Sequence, residues 1–206
     1  RFLLRKSIHM KLRITEIFLS LQGEARTVGI PTTFVRLTGC PLRCGYCDTA
    51  YAFQGGEMME IEEIIEQVRS LGTSFVTVTG GEPLAQKACL GLLEKLCDEN
   101  FEVSLETSGA ISLASVDSRV VKVMDIKTPG SKENHRNYWP NLDYLSAKDQ
   151  IKFVISHEED YLWSKEIVFA HQLHKRCEIL FSPVYGEISP TVLADWIVRD
   201  RLPVRF

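Results

Sequence analysis

Cys40, Cys44 and Cys47 fall within eight residues, in Gly39-Cys40-Pro41-Leu42-Arg43-Cys44-Gly45-Tyr46-Cys47. Three thiolates are a donor set for an iron–sulfur cluster, because soft sulfur ligands suit iron in that form. Three protein ligands on a 4Fe–4S cube leave one iron open, free to bind a small molecule and pass it an electron. A structural zinc site wants four ligands, and no histidine stands close in sequence to be the fourth. A zinc site completed by a distant residue, or an exposed loop of free thiols, is the alternative. Gly39, Pro41 and Gly45 keep the segment out of regular helix, so the chain can curl and aim its sulfurs inward. The other three cysteines, Cys89, Cys97 and Cys177, lie in apolar surroundings and read as small core residues. So uneven a distribution points to a reducing compartment rather than to a disulfide framework.

The elements that must position this loop alternate along the chain. Residues 33–38 read as a strand leading into the cysteines. Residues 60–71 carry Ile61, Ile64, Ile65 and Val68 at the spacing of one helix face, and Gly72 stops the helix. A strand at 75–79 follows, and Pro83 precedes a helix at 85–98. Further strands are expected at 102–106, 120–126, 150–155 and 178–181, with helices at 158–175 and 191–200. Residues 130–141, between Pro129 and Pro140, form the best candidate for an irregular insert. Residues 203–206 read like the beginning of a last strand. This alternation predicts an α/β fold with a mainly parallel sheet. About six strands are too few for an eight-fold barrel, so a partial (β/α) barrel or an open sheet is expected, with chemistry collected in the loops after the strands.

The chain has 206 residues, 45% hydrophobic and 25% charged, which excludes disorder or a coiled coil as its main character. Twenty-four basic against 27 acidic residues give a net charge of −3, no basis for a nucleic-acid-coating surface. No apolar run approaches the roughly 20 residues that span a bilayer, so no membrane association is expected and a cytoplasmic location is. Met10 reads as the native start, residues 1–9 as an added or upstream segment, and 10–206 as a single domain.

Thr79-Gly80-Gly81-Glu82-Pro83 closes the strand at 75–79, and its glycines let the backbone approach a ligand without interference from Cβ. Taken with Tyr46 just before the last cysteine, the C-x3-C-x2-C loop resembles the signature of the radical S-adenosylmethionine superfamily, and Gly80 to Pro83 resembles its GGEP segment. The resemblance implies a 4Fe–4S cluster on Cys40, Cys44 and Cys47, whose open iron chelates S-adenosylmethionine. Reductive cleavage of the sulfonium then gives a 5′-deoxyadenosyl radical that removes hydrogen from the substrate. It also implies cofactor contacts from Gly81 and Glu82, from Ser108 in Glu106-Thr107-Ser108-Gly109, and from Asp125, Ile126 and Lys127. A last contact near the adenine is implied for Ser182, Pro183, Val184 and Tyr185.

Leu21-Gln22-Gly23-Glu24, Arg36 in the strand before the cysteines, and Cys47-Asp48-Thr49 are together similar to the 7-carboxy-7-deazaguanine synthase family, lyases of queuosine and deazapurine biosynthesis. That resemblance implies a partial barrel of six strands and three helices, a homodimer, a flavodoxin-like electron donor and Mg2+ held by Thr49. It implies conversion of 6-carboxy-5,6,7,8-tetrahydropterin to 7-carboxy-7-deazaguanine with loss of ammonia. Leu21, Gln22, Gly23, Glu24, Arg36, Thr79 and Glu106 would bind the pterin, Arg36 offering a two-pronged guanidinium to its carboxylate. The family is expected to continue past Phe206 with a histidine-bearing tail, so no C-terminal catalytic residue is assigned here. The five histidines, His9, His135, His157, His171 and His174, show no ligand-like arrangement and are expected at the surface. The competing readings are an activating enzyme that generates a glycyl radical on a partner protein, and an iron–sulfur electron carrier or zinc-stabilised binding module.

Overall fold

In the computed structural model, residues 10–206 are described, and the expectations for residues 1–9, His9 included, lie outside them. Eight strands form one sheet: β1 (Lys11–Leu21), β2 (Pro31–Leu37), β3 (Glu57–Glu60), β4 (Phe75–Gly80), β5 (Glu102–Thr107), β6 (Val121–Asp125), β7 (Gln150–Ile155) and β8 (Glu178–Pro183). Their order is β3-β1-β2-β4-β5-β6-β7-β8. From β2 through β8 every neighbouring pair is parallel, and these six strands are the ones expected from sequence.

The two strands not foreseen, β1 and β3, add an antiparallel edge. In β1 the register slips between Ile14 and Glu16. A bulge of this kind breaks the two-residue alternation by which a strand is recognised, and Ile17, Phe18 and Leu19 then run on as consecutive apolar residues. Strand β3 is Glu-Met-Met-Glu, short and polar, as an edge strand tends to be.

Four α-helices flank the sheet: α1 (Ile61–Ser70), α2 (Cys89–Asp98), α3 (Glu158–Ala170) and α4 (Pro190–Asp200). Helix α1 buries Ile61, Ile64, Ile65 and Val68, the face read from their spacing, and opens with a reciprocal Glu60–Glu63 capping box. Helix α2 starts four residues later than expected. Pro83–Ala85 forms a separate 3-10 turn and Gln86 is extended. Gln86 is drawn aside by β1: it accepts from Arg13 N–H at 2.8 Å and donates to Arg13 O at 2.9 Å and Thr38 O at 3.0 Å. Helix α3 ends at Ala170, and Gln172 turns the chain with φ of 50° into a short 3-10 turn. No α-helix joins β5 to β6 or β6 to β7; the irregular insert between the latter holds three 3-10 turns. No helix of the described residues is long and apolar enough to cross a membrane.

The core lies between the convex side of the sheet and the helices. Phe153, Phe181 and Tyr161 pack edge-to-face there, with centroids 5.5 and 6.1 Å apart, and Cys89, Cys97 and Cys177 are buried as expected. All six cysteines are free thiols.

The sheet stays open, and the β1–β2 loop bridges its far side. Arg26 Nε lies 3.6 Å from Glu178 of β8, and Arg205 Nη2 donates to Ala25 O at 2.6 Å. The last residues make a single parallel bridge, Leu180 to Arg205, rather than a full strand.

Away from the strand ends that carry the motifs, Lys122 and Asp149 form a buried ion pair at 3.3 Å. Asp149 also accepts from Lys122 N–H, Ser146 N–H and Ser146 Oγ. Removing the carboxylate strands a buried ammonium and three donors. Asp149→Ala should lower the unfolding free energy by about 3–5 kcal/mol. Asp98→Ala, which breaks only the exposed contact to Arg119, should cost less than about 1 kcal/mol. Urea denaturation of the two variants checks the contrast.

Candidate active-site cleft

A strand turns alternate side chains to one face. On the concave face this brings Phe18 and Ser20 of β1, Phe34 and Arg36 of β2, Thr79 of β4, Glu106 of β5, Asp125 of β6 and Lys152 of β7 to the lining of one cleft. The loops after β2, β4, β5, β6 and β8 complete it. Its volume is about 760 Å³, within the range of cofactor and substrate pockets.

The cysteine loop is anchored on both sides. Gly39 N–H donates to Ala52 O at 2.7 Å, and Gly45 N–H donates to Ser131 O at 3.1 Å. Arg43 N–H donates to Glu133 Oε1 at 2.6 Å, and its guanidinium lies 4.3 Å over the Phe53 ring. Cys40, Cys44 and Cys47 are all partly exposed and all line the cleft. Burial pushes the Cys44 thiol up to about 11 against the opposing pull of Lys127, so a bound cluster must supply the charge that favours thiolate. Among the described residues no three His, Cys, Asp or Glu side chains stand at single-ion spacing. A cubane seats its cysteines on separate irons, and its ligands need not converge on one point. Three free thiols beside a cleft of this size fit such a group.

The glycine turn sits directly beneath this loop. A Cβ on Gly81 would lie 2.3 Å from Gly39 O and 2.7 Å from Cys40 Cβ, and one on Gly80 would lie 2.3 Å from Leu37 O. The glycines therefore let β4 close against β2 and the cysteines, a closer constraint than the ligand approach inferred from sequence. Glu82 is fully buried. It accepts from Leu84 N–H at 3.0 Å, Ser108 N–H at 2.7 Å, Ser108 Oγ at 2.5 Å and Thr107 Oγ1 at 2.9 Å.

Nearly all of the expected residues meet in the cleft. Gly81, Ser108, Asp125, Lys127, Ser182, Pro183, Val184 and Tyr185 line it, as do Leu21, Gln22, Gly23, Glu24, Arg36, Thr79, Glu106 and Thr49. Glu82 and Ile126 do not; the first is spent on its four donors and the second is a core residue 3% exposed. The described histidines stay out of the cleft.

Charges in the cleft come in pairs. Lys127 Nζ lies 2.8 Å from Asp125 Oδ2, whose other oxygen is buried without a partner. Burial alone would depress the Lys127 ammonium, but Asp125, with Cys44 and Tyr46, lifts it above the usual lysine range. Arg36 Nε donates to Glu16 Oε1 at 2.6 Å, and its guanidinium stands 5.8 Å from both the Phe18 and Tyr51 rings. Its terminal nitrogens have no hydrogen-bond partner among the described residues. Gln22 donates to Thr77 Oγ1 at 3.2 Å and Glu106 Oε1 at 3.3 Å, and Thr79 Oγ1 donates to Glu106 Oε2 at 3.1 Å. Burial raises the Glu106 carboxyl even so, with Lys152 opposing. The backbone of Gln22 is already spent on Ile30 and Gly29. Thr49 makes no side-chain cap; its hydroxyl donates to Asp48 Oδ1 at 2.7 Å.

Phe18, Phe34 and Lys152 are among the lining residues not foreseen. Phe18, stacked on Phe34 at 5.1 Å, sits on β1, which the bulge concealed, while Phe34 lies in the strand expected at 33–38. Lys152 ion-pairs with Glu24 at 2.5 Å. Its signal was present: a lysine in the apolar strand 150–155, on the face opposite Ile151, Phe153 and Ile155.

Residues 34–125 match the radical SAM superfamily. The 7-carboxy-7-deazaguanine synthase of Chlorobaculum tepidum is 44% identical over 97% of this chain and 92% of its own length. That of Koribacter versatilis is 41% identical over 94% and 92%. Among solved structures, QueE from Escherichia coli superposes with a TM-score of 0.77 at 22% identity, covering 94% of this chain and 92% of that one, a likeness of fold. Streptococcus suis SuiB bound to S-adenosylmethionine gives a TM-score of 0.55 at 16% identity over 80% of this chain and 43% of that one. With the cysteine loop, the glycine turn and the cleft in one place, and with relatives of this identity over nearly the whole length, the chain belongs to the 7-carboxy-7-deazaguanine synthase family of the radical SAM superfamily.

Proposed function

We propose that the cleft converts 6-carboxy-5,6,7,8-tetrahydropterin to 7-carboxy-7-deazaguanine with release of ammonia. The observation that carries this reading is that one cleft is lined both by three free cysteines and by Arg36, Glu106, Gln22 and Glu24. These are the groups that a carboxylated heterocycle with ring N–H donors calls for.

Cys40, Cys44 and Cys47 hold the 4Fe–4S cluster, and Gly81, Ser108, Asp125, Lys127 and Ser182 to Tyr185 surround S-adenosylmethionine. When bound, the two supply hydrogen-atom abstraction at C6 of the pterin and its return. The chain's own residues orient the substrate. The terminal nitrogens of Arg36 take the substrate carboxylate while Glu16 fixes Nε, so the guanidinium plane is set before binding. Glu106, steadied by Thr79 and Gln22, faces the ring as a hydrogen-bond acceptor. Phe18 and Phe34 supply an apolar wall. Thr49 Oγ1, with Asp48 beside it, offers oxygen to Mg2+, which keeps water and substrate for its other positions. Glu82 holds the strand ends in place rather than contacting the cofactor, and Ile126 packs behind the wall. Residues 10–206 act as one domain, as a homodimer in the cytoplasm, reduced by a flavodoxin-like donor.

Anaerobically reconstituted protein given substrate deuterated at C6 should return label in recovered S-adenosylmethionine; unlabelled cofactor after full turnover rules the reading out. Arg36→Met should raise KM for the pterin about 100-fold with cluster absorbance retained, as expected when a bidentate charged contact is lost. Steady-state kinetics on the two proteins measures this.

A further inference from the structure

The roles above leave Lys152 unused, although it is held in the cleft with unusual care. Its side chain is 16% exposed and projects from β7 beside its register partner Asp125 of β6. Burial alone would depress its ammonium, but Glu24, Asp125 and Glu106 together hold it protonated. Among the described residues it has one hydrogen-bond acceptor, Glu24 Oε2, so two of its three protons are unspent. Glu24 Oε1 likewise takes no hydrogen bond among them.

The segment that presents Glu24 is fixed on both sides. Glu24 N–H donates to Gln22 Oε1 at 3.1 Å. The next residue, Ala25, is buried with φ of 62°, and its carbonyl is held by Arg205 at 2.6 Å. A left-handed alanine is strained, and the Arg205 contact to its carbonyl holds it there. The cleft's other ammonium–carboxylate pair, Lys127–Asp125, faces Cys44 and Tyr46, with Asp125 between the two lysines. Lys152–Glu24 faces Glu106 as well.

We propose that Lys152, held by the Glu24 already assigned to the pterin, is a specificity-determining residue that reads the oxo end of the amino-oxo edge of the substrate's pyrimidinone ring. The Glu24 carboxylate accepts from ring N–H and the exocyclic 2-amino group, while the adjacent Lys152 ammonium donates to the 4-oxo oxygen. A ligand with a 4-amino group in place of the oxo group sets donor against donor and is rejected, because a site built for one hydrogen-bond pattern leaves its groups unpaired with the other. This inference rests on the reading of the cleft as a pterin site.

The test uses reconstituted holoenzyme with S-adenosylmethionine under anaerobic conditions, and two unreactive ligands followed by pteridine fluorescence: 6-carboxypterin and 2,4-diaminopteridine-6-carboxylate. The wild-type protein should favour the oxo ligand about 10- to 100-fold. Lys152→Met should cut that ratio several-fold by weakening the oxo ligand, leaving only the share that Glu24 sets through the ring N–H, and Lys152→Arg, which keeps the donor, should restore most of it. Circular dichroism and cluster absorbance report folding. Should the methionine variant misfold, Lys152→Gln takes its place and should likewise lose most of the ratio. An unchanged ratio in a folded Met or Gln variant, or no preference in the wild-type protein, overturns the proposal. Failure of wild-type protein to bind either ligand overturns the pterin reading itself, a result distinct from both.

Discussion

The cleft depends on one buried carboxylate. Glu82 lies at the end of β4 and takes hydrogen bonds from Leu84 on its own turn and from Thr107 and Ser108 at the end of β5. A buried anion without partners would cost several kcal/mol; four donors make it a clamp instead, each charge-assisted bond contributing about 1.5–3 kcal/mol. Through Glu82 the ends of β4 and β5 become one rigid unit. Through Gly80 and Gly81 that unit presses on the end of β2, and Glu82 N–H reaches Gly39 O at 2.8 Å. The cysteine loop thus rests on a platform set by β4 and β5, elements remote from it in sequence.

The two sides of the sheet are braced differently. From β2 to β5 the sheet is backed by α1 and α2, and its strand ends are locked by short-range backbone contacts. Between β5 and β7 no α-helix intervenes, and side chains hold the connecting segments. Asn141 donates to Gly109 O at 3.0 Å and Ile111 O at 2.9 Å, and Asp160 accepts from Gly130 N–H at 2.7 Å. Polar side chains replace the missing helices, and a Cβ on Gly130 would lie 2.4 Å from Asp160 Oδ2. The insert after β6 is thereby pinned against the cysteine loop, where Ser131 and Glu133 support Gly45 and Arg43.

What could be read from sequence follows from range. The cysteine triplet, the glycine turn and the six parallel strands are local patterns, and each stands where spacing put it. The role of Glu82 was not local: the residue looked like a ligand contact because three of its four donors lie 25 and 26 residues away and are invisible without the fold. Strand β1 was hidden by its bulge, and with it Phe18 and the Glu16 that braces Arg36. Lys152 was overlooked for a different reason. Its partner Glu24 lies 128 residues away, on a loop that crosses an open sheet to reach it.

That crossing loop also bears on how charge is handled in the cleft. Each cation in the lining is matched: Arg36 by Glu16, Lys127 by Asp125, Lys152 by Glu24. An open sheet lets the β1–β2 loop supply Glu24 from outside the strand lattice. The ligands to be held bear opposite charges, a carboxylate on one and a sulfonium beside an amino-acid head on the other. A cleft of paired charges takes such ligands by exchange: each ligand group meets a group already oriented by its partner, and no bare charge is buried before or after. Orientation is thus fixed by these pairs before a ligand arrives, which reduces the side-chain ordering left for binding to impose.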